Sequence, residues 1–176
     1  MRHAESSGQD SDAPLTSAGA AQAAALAPVL AALEVGPLFA SPMRRAMDTL
    51  GPFARHSGQE ITAIDALRER TLAPNKLTDW KVHIERSFGD AQYKLAGGES
   101  HADLLVRWQE ALASVAVAGG RPTFVTHGGM TAALFHDLDP GFGFDGWATL
   151  RNPDLFEITL DGTKLTAFHR INLKEP

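Results

Sequence analysis

The chain has 176 residues, enough for one domain with a substantial core, and its 44% hydrophobic and 21% charged residues are ordinary for a globular protein. The net charge of −5 argues against nucleic acid as a partner, and the lack of cysteine excludes disulfides, thiol nucleophiles and thiolate metal sites. No apolar run reaches the length that a membrane-spanning helix needs. We therefore expect a single domain over residues 1–176 in the cytoplasm, without contact to membranes.

Several segments carry the periodicity and end signals of helices. Residues 1–13 are polar and predict a loop, and Thr16 is suited to cap an alanine-rich helix that follows it. Ser41 and Pro42 fit the N-cap and first position of a second helix. Ser100 and Asp103 form a capping box for a long helix that extends to about Val117 and ends at Gly119 and Gly120. Further helices are predicted within residues 65–98 and over residues 129–136.

Short apolar runs between these helices predict strands at residues 37–40, 60–64 and 122–126. Residues 156–160 and 165–171 alternate around Asp161 and Gly162, which is typical of a hairpin. Strands and helices alternate through most of the chain. The pattern predicts an α/β fold, a three-layer α/β/α arrangement in which helices flank a mostly parallel central sheet.

Four residues have the chemistry that binding and transfer of a phosphoryl group require. Arg2 and Arg45 supply positive donors, and His3 is the best nucleophile because an imidazole nitrogen can accept a phosphoryl group and later lose it to water. Neighbouring arginines disfavour protonation of the ring. His127 follows a predicted strand and precedes Gly128, where the backbone can approach a ligand closely.

Glu69 is the candidate proton donor, provided that partial burial raises its pKa. Each feature also has a plain structural interpretation: an Arg-His pair near a terminus is usually solvated, Glu69 lies in a charged loop, and His127 could simply cap the next helix. His3, Glu69 and His127 could ligate a metal by residue type, but their spacing matches no metal motif. We predict neither a metal nor a cofactor.

The order of the motifs carries a resemblance to a known family. Arg2-His3-Ala4-Glu5-Ser6 is similar to an Arg-His-Gly-Glu-Thr signature, and the other matches are Ser41-Pro42 with Arg45-Ala46, Leu67-Arg68-Glu69, and Thr126-His127-Gly128-Gly129. With these motifs the chain is identified as a member of the histidine phosphatase superfamily, the phosphoglycerate-mutase-like group. The resemblance implies a phosphohistidine at His3, phosphoryl binding by Arg2, Arg45, His127 and Gly128, and proton donation by Glu69. Gln9 stands where many members carry an asparagine near the phosphate.

The same resemblance implies a metal-independent phosphomonoesterase that acts on a small phosphorylated metabolite. The alternatives are a cofactor-dependent phosphoglycerate mutase, a phosphohistidine protein phosphatase and a non-catalytic phosphate-binding domain. The short stretch between Glu69 and Ser100 favours the phosphatase over the mutase. Specificity is expected from residues 70–98, where Lys76, Trp80, Lys81 and Arg86 are candidates. The expected partner is a small-molecule phosphomonoester, and a homodimer stays open as an assembly.

Relatives in this family carry an apolar strand immediately before the Arg-His pair, whereas this sequence has only Met1 there. We therefore expect a misassigned or shortened start. Without that strand its neighbours lose hydrogen-bond partners and part of an apolar face. The expectation is wrong if a chain extended upstream is no more stable and no more active.

Overall fold

The computed structural model describes residues 1–115 and 120–173, and its helices surround a small parallel sheet. The helices are α1 (Ser17–Ala32), α2 (Arg44–Ser57), α3 (Trp80–Gly89), α4 (His101–Val115), α5 (Gly128–Leu138) and α6 (Phe144–Ala148). The strands are β1 (Leu38–Ala40), β2 (Ile61–Ala63), β3 (Thr123–Val125), β4 (Leu155–Asp161) and β5 (Lys164–Ile171). Within the described ranges, no helix is long and apolar enough to cross a membrane.

The parallel sheet has the strand order β2-β1-β3, and both neighbouring pairs are parallel. Strands β4 and β5 form a separate antiparallel hairpin. The predicted α/β fold with helices around a parallel sheet is confirmed. Helix α6 was not predicted, and the predicted end of α4 at residues 116–119 lies outside the described residues.

The core lies on both faces of the sheet, which gives the fold its three layers. Successive residues of β3 point to opposite faces. Phe124 packs with Leu104, Trp108 and Phe135 on the face covered by α4 and α5. Val125 belongs instead to the cluster on the face covered by α1 and α2, which includes Leu26, Leu30, Leu38 and Leu50.

A groove separates β3 from β4. Arg2 bridges the two sides, because it pairs with Thr126 after β3 and with Asp154 before β4. The cavity here measures about 320 Å³ and is lined largely by apolar side chains, including Met1 and Phe124. The Met1 amino group donates to the Phe124 carbonyl at 2.8 Å. Burial lowers the pKa of this group to about 5, and the Asp154 carboxylate partly opposes that shift.

The start of α2 differs from the prediction. The helix begins at Arg44 with Met43 as its N-cap, so Ser41 does not cap it. The Ser41 hydroxyl instead accepts from the Met43 N–H at 3.2 Å and lies 2.8 Å from a nitrogen of His127. A serine before a proline can cap a helix, but here the turn of residues 41–43 leaves its hydroxyl available to the histidine.

Candidate active site

The candidate site lies where β1 and β3 end. Ser41 follows β1, and His127 comes two residues after β3. The start of the chain runs alongside, since the His3 N–H donates to the Thr126 carbonyl at 3.1 Å. Carboxyl ends of parallel strands meet at one sheet edge, where α/β proteins place their sites. The topology therefore brings together His3, His127 and Arg45, which lies in the first turn of α2.

The His3 ring is buried, with 4% of its surface exposed, and its position defines its tautomer. Nδ1 lies 2.6 Å from the Ala4 carbonyl oxygen, which can only accept, so Nδ1 carries the proton. Nε2 is then the unprotonated nitrogen, and it accepts from the Arg45 Nε at 3.2 Å. Burial lowers the pKa of His3 to about 4, and Arg45 and Arg2 act in the same direction. The ring is neutral at pH 7 with a lone pair on Nε2.

Arg45 is completely buried, and its guanidinium is held in place from several sides. Its Nη1 donates to the carbonyls of Gln9 and Asp10 at 3.2 and 3.0 Å. Burial is the main cause that lowers the pKa of this guanidinium, and the Glu69 carboxyl opposes it. The neighbouring Arg44 is exposed and pairs with Asp48 at 3.3 Å, so only one of the two arginines faces the site.

Arg2 reaches the site from the other side of His3. Its Nη1 donates to the Leu150 carbonyl at 2.8 Å, while its buried Nε has no partner among residues 1–115 and 120–173. A Cβ at Gly128 would lie 3.4 Å from the Arg2 guanidinium carbon. The guanidinium thus lies against the first residue of α5, and Gly128 makes this close approach comfortable.

His127 is fully buried beside His3, with the two ring centroids 5.0 Å apart. Its Nε2 contacts the Ser41 hydroxyl at 2.8 Å, and its Nδ1 has no partner in the described part of the chain. Because the Ser41 oxygen already accepts from the Met43 N–H, the arrangement favours donation from Ser41 to Nε2. Nδ1 then carries a hydrogen that is free for a ligand. Burial, with His3 and Arg45 beside it, holds the pKa of His127 well below its ordinary value.

We call Arg2, His3, Arg45 and His127 the two-histidine centre. Both imidazoles are neutral, so its net charge comes from the two guanidinium groups. The N-terminus of α5 adds partial positive charge at His127 and Gly128. Unused buried donors remain on Arg2 and His127 within the described residues. This chemistry fits a bound oxyanion such as a phosphoryl group and is unfavourable for a metal cation.

Glu69 lies across the N-terminus of α5 from Arg2. Its Oε1 accepts from the Arg70 and Gly129 N–H groups at 2.8 and 3.1 Å. A Cβ at Gly129 would lie 2.6 Å from this oxygen, so the site requires glycine there. Burial raises the pKa of Glu69, although the Arg70 N–H, Arg2 and Arg45 oppose the shift. With Oε1 occupied by two donors, a proton on the carboxyl is held at Oε2.

A second group of charges, which we call the arginine–glutamate network, lies behind Glu69. It consists of Arg68, Arg70, Glu99 and Arg107. The Glu99 carboxylate pairs with Arg68 and Arg107, each at 2.9 Å, and Arg107 Nη1 donates to the carbonyls of Ala66 and Arg68 at 2.8 and 2.9 Å. The network therefore fixes the backbone on both sides of Glu69.

Two residues predicted for the phosphate differ in how they are placed. Gly128 lies at the centre, against Arg2. The side chain of Gln9 is exposed, and the contact that Gln9 makes with the centre is its main-chain carbonyl, which accepts from Arg45. Asn152 was missed: its amide donates to the His3 carbonyl at 2.7 Å. An Asn-Pro pair before a strand indicates only a turn, so no sequence signal pointed to it.

The segment expected to set specificity contacts both the loop that holds Arg45 and helix α6. Lys76 is exposed and pairs with Asp10 at 3.7 Å, next to the carbonyls that hold Arg45. Trp80 contacts Trp147 of α6 edge to face, with ring centroids 5.9 Å apart. Lys81 lies over the Trp80 ring. The contact between α3 and α6 therefore brings two tryptophans together, with the Lys81 ammonium beside them.

Comparison with known proteins decides the family. The family model of the histidine phosphatase superfamily (branch 1) matches residues 1–172. The chain belongs to this superfamily. A glucosyl-3-phosphoglycerate phosphatase from Mycolicibacterium vanbaalenii is 31% identical over an alignment of 160 residues. The match covers 79% of this chain and 68% of the relative. The resemblance predicted from the motifs is confirmed, and the chain is a phosphoric monoester hydrolase.

Solved structures agree on the fold. A mycobacterial glucosyl-3-phosphoglycerate phosphatase in complex with inorganic phosphate has a TM-score of 0.74 at 24% identity, with 99% of this chain and 94% of that chain covered. The complex of the mycobacterial enzyme with VO3 has a TM-score of 0.70 at 25% identity, with 90% of each chain covered. Both share the helix-flanked sheet of this superfamily phosphatase.

Proposed function

We propose that this phosphatase is a metal-independent phosphomonoesterase that hydrolyses a small phosphorylated metabolite through a phosphohistidine at His3. The observation that carries the proposal is the unprotonated Nε2 of a buried, neutral His3 beside the Arg45 Nε. A lone pair held among cationic donors is what attack on a phosphoryl group requires. The other members of the centre bind the oxygens of that group.

In the first step, His3 Nε2 attacks phosphorus and the bond from phosphorus to the leaving oxygen breaks. The Oε2 proton of Glu69 passes to that oxygen, which leaves as an alcohol. Arg2, Arg45 and the Nδ1–H of His127 stabilise the charge on the remaining phosphoryl oxygens. Nδ1–H of His3 stays on the Ala4 carbonyl, so the phosphorylated ring keeps its orientation.

In the second step, the Glu69 carboxylate takes a proton from water, and the water oxygen attacks phosphorus. The bond between Nε2 and phosphorus breaks, inorganic phosphate forms, and His3 and Glu69 return to their starting protonation states. Neither reaction step requires a metal ion, since the arginine and imidazole donors stabilise the negative charge on the phosphoryl oxygens.

We infer the substrate class by placing Lys76, Trp80 and Lys81 at the rim of the site, as the sequence predicted for the segment of residues 70–98. Lys76 and Lys81 add positive charge next to an aromatic wall of Trp80 and Trp147, which suits a phosphate ester with a second anionic group and a non-polar or sugar face. The relative from Mycolicibacterium vanbaalenii is a glucosyl-3-phosphoglycerate phosphatase, a name that describes such an ester. A phosphorylated sugar acid is therefore the leading candidate here.

The test is phosphate release in the presence of a chelator from glucosyl-3-phosphoglycerate, 3-phosphoglycerate, 4-nitrophenyl phosphate and a phosphohistidine peptide. Turnover that survives the chelator and disappears in His3→Ala supports the proposal. Turnover in His3→Ala overturns the mechanism. Preference for the peptide, or isomerisation of 3-phosphoglycerate without release of phosphate, overturns the substrate class.

A further inference from the structure

Arg70 is a buried arginine next to Glu69 whose side chain points away from the two-histidine centre. Its exposed fraction is 8%, and each nitrogen of its guanidinium has a partner. Nε donates to the Glu99 carbonyl at 2.8 Å, Nη1 donates to the Ser87 hydroxyl at 2.9 Å, and Nη2 donates to the Tyr93 carbonyl at 3.4 Å. The side chain thus ties its own loop to α3 and to residues 93–99.

The backbone of the same residue acts on Glu69. The Arg70 N–H donates to Glu69 Oε1 at 2.8 Å, and a Cβ at Gly129 would lie 2.9 Å from the Arg70 Cβ. Arg70 is therefore wedged between its buried guanidinium partners and the first turn of α5. A shift of its backbone would move the donor that orients the Glu69 carboxyl.

Burial makes this anchor demanding. A guanidinium out of water loses hydration that only hydrogen bonds can replace, so its partners must hold their places as strictly as it does. Ser87 is fully buried, and its hydroxyl donates to the Ile84 carbonyl in the same helix while it accepts from Arg70. The position of α3 and the position of Arg70 are consequently set together.

We propose that Arg70 is a positioning residue that couples α3 and residues 93–99 to the proton-donating carboxyl of Glu69. The proposal rests on the proposed function, in which Glu69 protonates the leaving oxygen. Loss of the Arg70 guanidinium partners lets the loop relax, so that Oε2 no longer meets the leaving group at the right distance. Transfer of the phosphoryl group to His3 is otherwise unchanged, because Arg70 has no contact with His3 or Arg45.

The leaving group provides the readout. Nitrophenolate leaves without a proton, whereas the alkoxide of an alkyl phosphate needs one. Since kcat/KM covers only the steps up to loss of the leaving group, it excludes the later hydrolysis of phospho-His3, in which Glu69 acts on both esters alike. We expect Arg70→Met to lower kcat/KM for a glycerol phosphate about tenfold or more, and kcat/KM for 4-nitrophenyl phosphate less than about threefold. Ser87→Ala removes one hydrogen-bond partner of the guanidinium. It should also lower the alkyl phosphate rate more than the aryl phosphate rate, but by a smaller factor than Arg70→Met. Arg70→Lys keeps the charge and should restore part of the alkyl phosphate rate.

Two reference variants separate this proposal from the function on which it rests. Glu69→Gln must show the imbalance first, with a loss of about a hundredfold in kcat/KM on the alkyl ester. Equal losses of kcat/KM on both esters would overturn the role of Glu69 as proton donor to the leaving oxygen. If Glu69→Gln shows it and both Arg70→Met and Ser87→Ala lose equally on the two esters, only the coupling through Arg70 is wrong. Lys94→Met removes an exposed ion pair with Asp103 in the same segment. This variant should leave the ratio of alkyl to aryl kcat/KM unchanged.

If Arg70→Met does not fold, Ser87→Ala decides the question alone. Its cavity is small, and Arg70 keeps its bonds to the Glu99 and Tyr93 carbonyls. The ratio of the alkyl rate to the aryl rate is compared with wild type after the two proteins have been matched by circular dichroism. A lowered ratio supports the coupling, and an unchanged ratio contradicts it.

Discussion

The two-histidine centre and the arginine–glutamate network are both buried groups of charged and polar side chains, but they are completed differently. In the network, the Glu99 carboxylate meets Arg68 and Arg107, and Arg70 fills its remaining bonds with Ser87 and main-chain carbonyls. In the centre, the two guanidinium groups have no carboxylate in direct contact, and buried donors on Arg2 and His127 lack partners among the described residues.

The difference separates support from binding. Paired charges satisfy one another and fix the backbone around Glu69, so they need no ligand. Donors without partners in a buried site destabilise the free protein, because they have lost their hydrogen bonds to water. A phosphoryl group that binds there restores those hydrogen bonds, so the same donors contribute to its affinity. Substitutions in the centre should therefore reduce activity, whereas substitution of Glu99, which holds the network together, should chiefly reduce stability.

The largest expected difference in activity is between substitutions of two adjacent arginines. Arg45→Met removes the donor beside His3 Nε2 and should lower kcat/KM about thousandfold, because one preorganised charged donor is worth about that much in a buried site. Arg44→Met removes an exposed pair with Asp48 and should leave kcat/KM within about twofold. Initial rates with 4-nitrophenyl phosphate measure both. A comparable loss in the two variants would mean that Arg45 acts on the fold and not on the phosphoryl group.

The network should respond in the opposite way. Glu99→Gln leaves Arg68 and Arg107 without their counter-charge and should lower the free energy of unfolding by about 2–3 kcal/mol. Burial alone would raise the pKa of Glu99, but Arg68, the Thr71 N–H and Arg107 together lower it. Its contribution is thus complete above the ordinary carboxyl pKa and is lost as the pH falls through the lowered value.

Denaturant unfolding of Glu99→Gln and wild type at pH 7 provides the measurement. The exposed Asp48→Asn serves as the control, and its effect should stay within about 0.5 kcal/mol. Equal stabilities of Glu99→Gln and wild type would show that the network is not the support that we infer.

Much of the centre could be predicted from sequence because the ordered motifs that contain Arg2, His3, Arg45 and His127 resemble those of a known family. The structure brings these four side chains together. Ser41 was assigned to the wrong partner, since a serine before a helix fits a cap and only the three-dimensional arrangement shows His127 next to it. The support was invisible for a related reason: Arg70 in a charged loop reads as a surface residue until Ser87 and Tyr93 fold over it.

The pH profile separates the protonation of His3 from the protonation of Glu69. His3 must be neutral to attack, and burial with Arg45 and Arg2 lowers its pKa to about 4 from an ordinary 6.5. We expect kcat/KM to hold from pH 7 down to about 5 and to fall below that, whereas an unshifted histidine would leave only about 3% of the rate at pH 5. With an alkyl ester the rate should also fall as rising pH removes the proton of Glu69, whose pKa is raised by burial. A phosphate monoester itself has a second pKa of about 6, so the profile is first corrected for ionisation of the free ester. An acid limb that then remains near pH 6.5 would contradict the burial of a neutral His3.

The smallest expected effect concerns the groove between β3 and β4, which is lined largely by apolar side chains. Fusion of a short, alternating apolar segment before Met1 should pair it with these strands and stabilise the fold by about 1 kcal/mol, because burial of two or three side chains slightly exceeds the entropy lost. A glycine–serine segment of equal length is the control.

Both fusions replace the buried Met1 amino group with a peptide N–H, which does not titrate. The pKa of that amine is lowered from 8.0 to about 5, so the wild-type chain loses stability as the pH falls from 8 towards 5, and both extended chains should be free of this loss. The difference between the two extended chains then isolates the apolar contribution. Thermal unfolding at pH 8 and pH 6 measures both quantities, and coincident curves for the two fusions would mean that the groove does not accept a strand.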